Sequence, residues 1–244
     1  MRRQNAKMAN MRNDPTIYDK VAEDWWSGEI RLVRTLKSLV PGRLSLFDWQ
    51  IDWQGKSVLD LGCAGGFMAE DLALRGARVT AIDPSAEAIA VACRHAKASV
   101  QSIIYDVGFG EALAYSDATL DAVVCVDVLE HVANLPLVLA EVARTVRPGC
   151  MFLFDTINRN PLARMAPITL AEELLRLLRR GTHDPAIFIK PTALRRGLTK
   201  AGLVPGAFTD LGPCGLNRRF DLTFGRLPFT TILYMGTAQK PRLP

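Results

Sequence analysis

A glycine-rich turn follows the first buried strand that the sequence predicts. The residues in order are Val58-Leu59-Asp60-Leu61-Gly62-Cys63-Ala64-Gly65-Gly66, and a helix is expected to begin directly after them. Small residues let a ligand approach the backbone, and the free N–H groups at a helix start attract polar ligand atoms. Asp83 closes the next predicted strand, where a carboxylate can accept hydrogen bonds from both hydroxyls of a ribose. The turn and Asp83 together predict a site for a nucleotide-like ligand.

The identity of that ligand depends on three positions in the turn. A dinucleotide site needs Gly-x-Gly-x-x-Gly, whereas this chain has Gly62, Ala64 and Phe67 at those positions. Asp60 would also place negative charge near a pyrophosphate. S-adenosylmethionine has no phosphate and carries an ammonium and a sulfonium, so an acidic residue before the glycines suits it. The residues favour S-adenosylmethionine over a dinucleotide, and a turn without a ligand is the remaining alternative.

A second group of polar residues, Asp127, Glu130 and His131, follows the fourth predicted strand. Open α/β sheets place their ligands at this end of the strands. If a helical turn begins there, the spacing puts all three side chains on one face. They could bind a divalent metal, with zinc accepting all three and magnesium preferring the oxygens. Alternatively, His131 could be a general base oriented by a carboxylate, or the group could be a structural polar turn.

Alternating strand and helix patterns predict one α/β domain with a doubly wound, mostly parallel, seven-stranded Rossmann-like sheet. A helical pattern opens this series and covers residues 17–46. Strands are predicted at 57–61, 78–82, 103–107, 122–126, 151–155, 204–211 and 229–238. Helices are predicted at 67–75, 86–98, 135–146 and 191–201.

The composition is that of a globular protein, with 49% hydrophobic and 23% charged residues among 244. Neither a signal-peptide core nor an apolar run long enough for a membrane span is present, so a cytoplasmic location is expected. The five cysteines form no Cys-x-x-Cys pair and are expected as small core residues. His95, within a predicted helix, is expected at the solvated surface. Residues 1–15 are expected to be a disordered basic leader, and 16–244 a single domain with a helical insertion at about 158–190.

Basic residues are concentrated in three segments, 1–13, 164–200 and 218–244. Within the second, residues 168–180 predict an amphipathic helix whose leucine-rich face ends beside Arg176, Arg179 and Arg180. Such a helix can lie in an anionic membrane surface, which would make the protein peripheral on the inner membrane, or it can be a lid packed on the sheet. Nucleic acid is not expected as a partner, because the cations are not interleaved with aromatic residues.

Several motifs together resemble a known family over residues 17–240. The turn resembles that of class I S-adenosylmethionine-dependent methyltransferases. The narrower resemblance is to the ubiquinone-biosynthesis O-methyltransferase family. It is carried by the following residues: Trp25-Trp26, Val128-Leu129-Glu130-His131-Val132, Asn158-Arg159-Asn160, Gly181-Thr182-His183-Asp184, Phe188-Ile189-Lys190-Pro191 and Tyr234-Met235-Gly236.

This resemblance implies a class I methyltransferase fold and methyl transfer to a phenolic or catechol hydroxyl, on a small aromatic substrate that can carry a polyprenyl chain. It implies magnesium at Asp127, Glu130 and His131, and a place for Arg43 on the methionine carboxylate. The expected S-adenosylmethionine site comprises Arg43, Asp60, Gly62, Cys63, Ala64, Gly65, Asp83, Pro84, Gly110, Glu111 and Val126. Ala64 stands where the family has glycine, and its methyl is expected to fit if its φ stays negative.

The adenine side has Gly108-Phe109-Gly110-Glu111 without the usual Asp, so backbone and apolar contacts are expected there. A soluble aromatic or other secondary metabolite is the alternative acceptor. An S-adenosylmethionine-binding protein without catalysis and an RNA methyltransferase are further alternatives.

Overall fold

The computed structural model describes residues 22–160, 187–227 and 232–242, in which strands and helices alternate along most of the chain. Within these ranges the helices are α1 (Arg31–Phe47), α2 (Phe67–Leu74), α3 (Ala86–Ala98), α4 (Leu135–Thr145) and α5 (Pro191–Lys200). The strands in the same described residues are β1 (Ser57–Leu61), β2 (Arg78–Asp83), β3 (Ile104–Val107), β4 (Leu120–Cys125), β5 (Val146–Ile157), β6 (Val204–Leu216), β7 (Leu222–Leu227) and β8 (Leu233–Gln239).

These strands form one sheet in the order β3-β2-β1-β4-β5-β8-β6-β7. The pairs among β1 to β5 are parallel, with Leu59 opposite Thr80 on one side and opposite Val123 on the other. β8 runs antiparallel between β5 and β6, and β7 adds an antiparallel outer strand. Strand order reverses between β1 and β4, and parallel α/β sheets bind their ligands at the carboxyl ends of the strands on either side of this point.

The central strands are buried on both faces, which explains their nearly continuous apolar sequences. On β1, Val58 packs into the core on the side of α1 to α3, while Leu59 packs into the core on the side of α4 and α5. β4 alternates in the same way, with Val123 and Val124 on opposite sides and both fully buried. Both layers therefore cover the sheet, as the α/β alternation predicted.

Side-chain caps fix the starts of two helices near the carboxyl edge of the sheet. Ser85 precedes α3 and accepts a hydrogen bond from the N–H of Ala88 at 3.0 Å. Asn134 precedes α4 and accepts one from the N–H of Leu137 at 3.2 Å. Each cap satisfies a backbone donor that the first helical turn leaves open, so both helices begin at defined residues.

Helix α1 lies against the antiparallel end of the sheet. A Cβ on Gly42 would come within 2.6 Å of Leu211 Cδ1 and 2.9 Å of the Phe224 carbonyl oxygen, so only glycine permits this approach. The sequence predicted seven strands without β7, whose Leu222–Leu227 segment is only half-buried and lacks regular alternation. The sheet has eight, because β7 pairs with β6 and supports α1. The predicted helix at 17–46 is interrupted, since residues 23–30 are not helical and α1 begins at Arg31, while residues 17–21 lie outside the described ranges.

Four sequence predictions fall on residues outside the described ranges. They are the leader at 1–15, most of the insertion at 158–190, the amphipathic helix at 168–180, and the motif at 181–184. Among the residues that the structure covers, no helix is long and apolar enough to cross a membrane.

Candidate cofactor and acceptor site

The glycine-rich turn leaves β1 and is tied to the end of β2. The N–H groups of Gly62 and Cys63 both donate to the carbonyl oxygen of Ile82, at 2.8 and 3.0 Å. Gly62 and Gly66 have φ values of +79° and +93°, a region that glycine enters without steric cost. A Cβ at Gly62 would lie 2.2 Å from Val128 Cγ2. Glycine is therefore required for the turn and for its contact with the loop after β4.

Ala64 does not meet the condition under which its methyl was expected to fit without strain. Its φ is +45° and not negative. A Cβ in this left-handed region meets the following carbonyl oxygen, which is unfavourable for any residue except glycine. The N–H of Ala64 donates to Asp83 Oδ2 at 2.9 Å, and this bond holds the peptide in place.

Asp83 joins the turn to the next helix. Its Oδ2 binds the Ala64 N–H, and its Oδ1 accepts from the N–H of Ser85 at 2.9 Å. Pro84 is exposed beside it, at the start of α3. The carboxylate thus has a fixed orientation at the carboxyl end of β2.

Asp60 is fully buried on β1, and neither carboxylate oxygen has a hydrogen-bond partner among the described residues. Burial raises the pKa of Asp60 to about 7, and the charge of Asp83 adds to the rise; the Arg43 charge and the N–H of Ala69 oppose it. That N–H does not meet the geometry of a hydrogen bond. An unsatisfied buried carboxyl is costly unless a ligand or a proton compensates it. A cationic ligand group is one way to compensate Asp60.

Arg43, from the middle of α1, is buried between two carboxylates. Its Nε donates to Asp155 Oδ2 at 2.6 Å, and its Nη2 forms an ion pair with Asp127. Asp155 also accepts the backbone N–H of Asp127 at 2.7 Å, which holds the positive φ of +56° at that residue. Burial raises the pKa of Asp155, and the guanidinium of Arg43 opposes this. We assign Asp155 as ionised, since it accepts from a cation and from an N–H at once.

Asp155 was missed in the sequence, because nothing local marks it as the partner of a residue 112 positions earlier. An acidic residue at the end of a strand that is otherwise apolar was the available signal. Thr156 was also missed, because its partner Glu130 lies 26 positions earlier in the chain.

Glu130 lies in a turn after β4 and is 4% exposed. Thr156 Oγ1 donates to its Oε2 at 2.7 Å, while Oε1 has no hydrogen-bond partner in the described part of the chain. Burial raises the pKa of Glu130 to about 7, with the charge of Asp127 as the next cause. A carboxyl group with this pKa can accept a proton at neutral pH and release it again.

His131 lies next to Glu130 with an exposed side chain, although the protein around its ring still lowers its pKa through desolvation, against the charge of Asp127. The helical turn expected at 127–131 is absent, because residues 127–131 form non-helical turns and α4 begins only at Leu135. The assumption that placed Asp127, Glu130 and His131 on one helical face is therefore wrong.

The expected metal was tested against the arrangement of these side chains. Across residues 22–160, 187–227 and 232–242, no three His, Cys, Asp or Glu side chains form a group that could hold a metal ion. Asp127 is already engaged by Arg43. The observed arrangement therefore does not fit a metal bound by Asp127, Glu130 and His131 together.

The remaining predicted cofactor residues lie around the same edge of the sheet. Gly110 is buried against Val138 and Leu61. Glu111 accepts the N–H groups of Ala133 and Asn134, at 3.0 and 3.2 Å. Val126 and Cys63 are buried, and burial raises the pKa of the Cys63 thiol, which makes it a poor nucleophile.

A cavity of about 330 Å³ opens between the end of β3 and the segment that follows it. It is lined by Ile82, Asp106, Val107, Gly108, Phe109, Ala112, Ala114 and Tyr115. Most of these residues offer apolar or backbone surface, which is the chemistry expected for the adenine side.

Trp25 and Trp26, which precede α1, pack against the glycine-rich turn and the start of α2. Trp25 stacks on Phe67 with ring centroids 5.2 Å apart, and Trp26 meets the same ring edge-on at 4.6 Å. Trp26 also stacks on His95, which shares a hydrogen bond with Glu70. The expectation that His95 is merely a solvated surface residue is therefore wrong, and the helical spacing alone gave no signal of these contacts.

Comparison with known proteins gives matches over most of the chain. Residues 59–154 match the family described as "Methyltransferase domain". The ubiquinone biosynthesis O-methyltransferase of Dechloromonas aromatica is 35% identical over 206 residues, covering 84% of this chain and 88% of that protein. The protein of the same name from Aromatoleum aromaticum is 40% identical over 198 residues, covering 80% and 84%.

A solved structure of magnesium protoporphyrin IX methyltransferase from Synechocystis, with bound S-adenosylhomocysteine, is similar in fold. The TM-score is 0.62, with 15% identity over 86% of this chain and 85% of that chain. At this level of identity the similarity concerns the fold alone.

Proposed function

Because this chain belongs to the ubiquinone biosynthesis O-methyltransferase family and is an S-adenosylmethionine-dependent O-methyltransferase, we propose that it methylates a phenolic or catechol hydroxyl of a polyprenylated ubiquinone precursor. The observation that carries the proposed acceptor is the extent of the similarity. Relatives with that name align over about four-fifths of both chains. The motifs on the acceptor side, including Glu130 and His131, fall within that length.

For the cofactor, we propose that Asp83 accepts the ribose hydroxyls and that the turn from Gly62 to Gly65 lies against the methionine part. Arg43 would meet the methionine carboxylate, and Asp60 would compensate the positive charge at that end. The fixed carboxylate of Asp83 and the unsatisfied oxygens of Asp60 support these roles. The adenine would lie near Gly110, Glu111 and Val126, and the cavity beside β3 is lined by the residues that flank Gly110 and Glu111 in the chain, Phe109 and Ala112.

The chemical step is an in-line displacement at the sulfonium methyl group. The cofactor carries its own leaving group, so the protein has to position the acceptor oxygen and remove its proton. A phenol has a pKa of about 10, judged from tyrosine. We propose Glu130 as the base: Oε1 takes the phenolic proton, the oxygen attacks the methyl carbon, and the C–S bond breaks to leave a neutral thioether. The raised pKa and the free Oε1 of Glu130 support this role.

His131 is the second candidate base. Its lowered pKa keeps the ring neutral at pH 7 and able to accept a proton. Asp127, bound to Arg43, is proposed to hold the loop after β4 rather than to react. The family resemblance also implies a metal, and chelation tests that prediction separately, although the arrangement of Asp127, Glu130 and His131 does not fit a metal held by all three.

The deciding experiment is transfer of an isotope-labelled methyl group from S-adenosylmethionine to a lipid extract from cells that accumulate ubiquinone precursors. The proposed acceptor requires label in a prenylated aromatic lipid. Label confined to water-soluble aromatics would instead support the alternative of a soluble acceptor. A parallel reaction with chelator, followed by added magnesium or zinc, tests the metal: loss and recovery of transfer support it, and unchanged transfer rules it out.

A polyprenyl acceptor lies in a membrane, so we further propose that the enzyme attaches peripherally to the cytoplasmic side of the inner membrane. This proposal is supported by the sequence of residues 168–180, where a leucine-rich face adjoins three arginines. Reversible attachment would bring the site to its substrate.

A further inference from the structure

Four separate elements meet at the outer face of the glycine-rich turn. Trp26, from the segment before α1, donates its indole N–H to the carbonyl oxygen of Gly65 at 2.9 Å. The Trp26 ring lies nearly parallel to the ring of His95 from α3, with centroids 3.4 Å apart and a 5° interplanar angle. His95 Nδ1 in turn lies 2.6 Å from Oε1 of Glu70 on α2. These contacts form a continuous chain from one buried carboxylate to the backbone of the turn.

The peptide that Trp26 binds joins Gly65 to Gly66, at the start of α2. Gly65 precedes Gly66, whose φ of +93° turns the backbone into α2. A Cβ on Gly65 would lie 2.2 Å from Cδ1 of Trp25, so the neighbouring tryptophan already touches the backbone there. The two indoles therefore restrict the same peptide in different ways. Trp25 limits its approach by contact, and Trp26 fixes its carbonyl by a directional bond.

The other end of the chain is anchored as well. Glu70 is 7% exposed, and its second oxygen is 3.4 Å from Ser99 Oγ at the end of α3. The ammonium of Lys37, on α1, is 4.8 Å from the centroid of Trp26 and 5.4 Å from that of Phe67. A cation over an indole face is attractive. Trp26 thus has His95 and Lys37 against its ring, and its orientation is set by three helices.

We propose that Trp26 is a positioning residue for the cofactor, held by His95 and Glu70, and that it locks the Gly65 peptide in the form that binds S-adenosylmethionine. It touches the turn from outside and takes no part in methyl transfer. If docking of residues 22–30 on the turn strengthens cofactor binding by some factor, bound cofactor must strengthen that docking by the same factor, because the coupling free energy between the two is reciprocal. The inference rests on the cofactor alone and not on the identity of the acceptor.

The test compares Trp26→Phe with Trp53→Phe. The first keeps an aromatic ring beside His95 and removes the indole N–H together with one of the two fused rings. Trp53 is the matched control, since its Nε1 donates to Asp48 Oδ1 at 2.7 Å. Trp53 precedes the first residue of β1, whereas the glycine-rich turn follows the last residue of that strand. Each variant loses one indole hydrogen bond, so both should have lower thermal stability. Calorimetric titration with S-adenosylhomocysteine then separates a cofactor effect from a general loss of stability.

We expect Trp26→Phe to weaken S-adenosylhomocysteine binding by about three- to tenfold, the range for one lost hydrogen bond. Trp53→Phe should stay within about twofold of wild type. At saturating S-adenosylmethionine, kcat and the KM for the acceptor should be unchanged, while the KM for S-adenosylmethionine rises. His95→Gln should weaken binding in the same direction, and the double variant should lose clearly less affinity than the sum of the two single losses, because both act through one contact.

Hydrogen exchange supplies a readout that does not depend on turnover. Amides of residues 22–30 should exchange more slowly in wild type when S-adenosylhomocysteine is bound, and this protection should fall in Trp26→Phe. The proposal is overturned if Trp26→Phe binds as wild type does, if Trp53→Phe loses as much affinity, or if kcat falls while affinity is retained. A wild-type protein that binds no S-adenosylhomocysteine would instead count against the cofactor and hence the proposed function itself.

Discussion

At the scale of single residues, the two most informative positions are ones where local preference is violated. Ala64 has a left-handed φ, and Glu130 is a carboxyl buried with one oxygen unsatisfied among the described residues. Both lie at the carboxyl edge of the sheet, where the site is expected. Each violation makes a measurable prediction.

Replacing Ala64 by glycine should stabilise the protein. The substitution removes the left-handed strain of roughly 1–2 kcal/mol and adds some entropy to the unfolded chain, for a net gain of about 0.5–1 kcal/mol. Urea unfolding measures this change. Ala90 is the matched control, because it is exposed within α3 and has ordinary helical geometry. Ala90→Gly should lower the free energy of unfolding by about 1 kcal/mol. If Ala64→Gly lowered it as well, the backbone of Ala64 would not be strained.

Glu130 links activity and stability to pH in opposite directions. As a base it must be ionised, so kcat should rise through about pH 7, and Glu130→Gln should abolish that limb of the profile. His131→Ala is the comparison: if the limb vanishes there and survives in Glu130→Gln, His131 is the base.

The stability effect of Glu130 has the other sign. Its folded pKa is raised above the unfolded value, so its contribution is fully present below the unfolded pKa and is lost as pH rises to about 7. Glu130→Gln should therefore gain stability relative to wild type above pH 7, by up to about 3 kcal/mol, and little below pH 4. Equal stability at both pH values would show that the carboxyl is not desolvated.

At the scale of elements, α1 is attached to the sheet through charge. Arg43 reaches Asp155 near the end of β5, and Asp155 also accepts the N–H of Asp127 in the loop after β4. A buried ion pair contributes little more to stability than a well-packed apolar pair would, but removing one partner leaves the other as an uncompensated buried charge. α1 and the acceptor-side loop should therefore loosen together.

Asp155→Asn should cost about 3–5 kcal/mol of unfolding free energy, since Arg43 loses one buried counter-charge. The exposed pair between Arg94 and Glu23 provides the contrast: Arg94→Gln should cost no more than about 1 kcal/mol. Hydrogen exchange in α1 and in residues 127–131 should rise in Asp155→Asn. A cost as small as that of Arg94→Gln would show that Asp155 does not anchor α1.

Prediction from the sequence succeeded for elements with a clear hydrophobic period. β1 and α3 have the predicted bounds, and the apolar run of β4 was found because both its faces are buried. β7 was missed because its half-buried residues have no alternation, and its pairing depends on β6 and α1. The helical turn that was assumed at 127–131 is absent, because i, i+3, i+4 spacing carries no information about φ. Long-range partners such as Asp155 and His95 are set by packing that no local pattern records.

At the scale of the whole molecule, the predicted methyltransferase fold and the resemblance to the ubiquinone-biosynthesis O-methyltransferase family are confirmed. Reaching a lipid substrate requires a surface outside the sheet. The proposed surface is residues 168–180, whose arginines can meet anionic headgroups.

Changing Arg176, Arg179 and Arg180 to glutamate should release the protein from anionic liposomes. Each arginine near such a surface contributes about 1 kcal/mol, and the attraction is screened by salt. Co-sedimentation at low and high salt measures it, with neutral liposomes and the charge-preserving triple lysine variant as controls. Activity on a short, water-soluble acceptor should survive the glutamate changes. Wild-type protein that never sediments with anionic liposomes at low salt would refute membrane attachment.

The ion pair between Arg43 and Asp155 also bears on how this enzyme can be dissected. The segment shared with the wider methyltransferase family, residues 59–154, contains neither member of the pair. A fragment cut at those limits would lack the guanidinium and the carboxylate that anchors the loop after β4, and an N-terminal cut alone would leave Asp155 as an isolated charge inside the protein. The part of the chain that is most widely shared is thus not an autonomous catalyst, and a chimera that grafts it onto other flanks must bring both charges or neither.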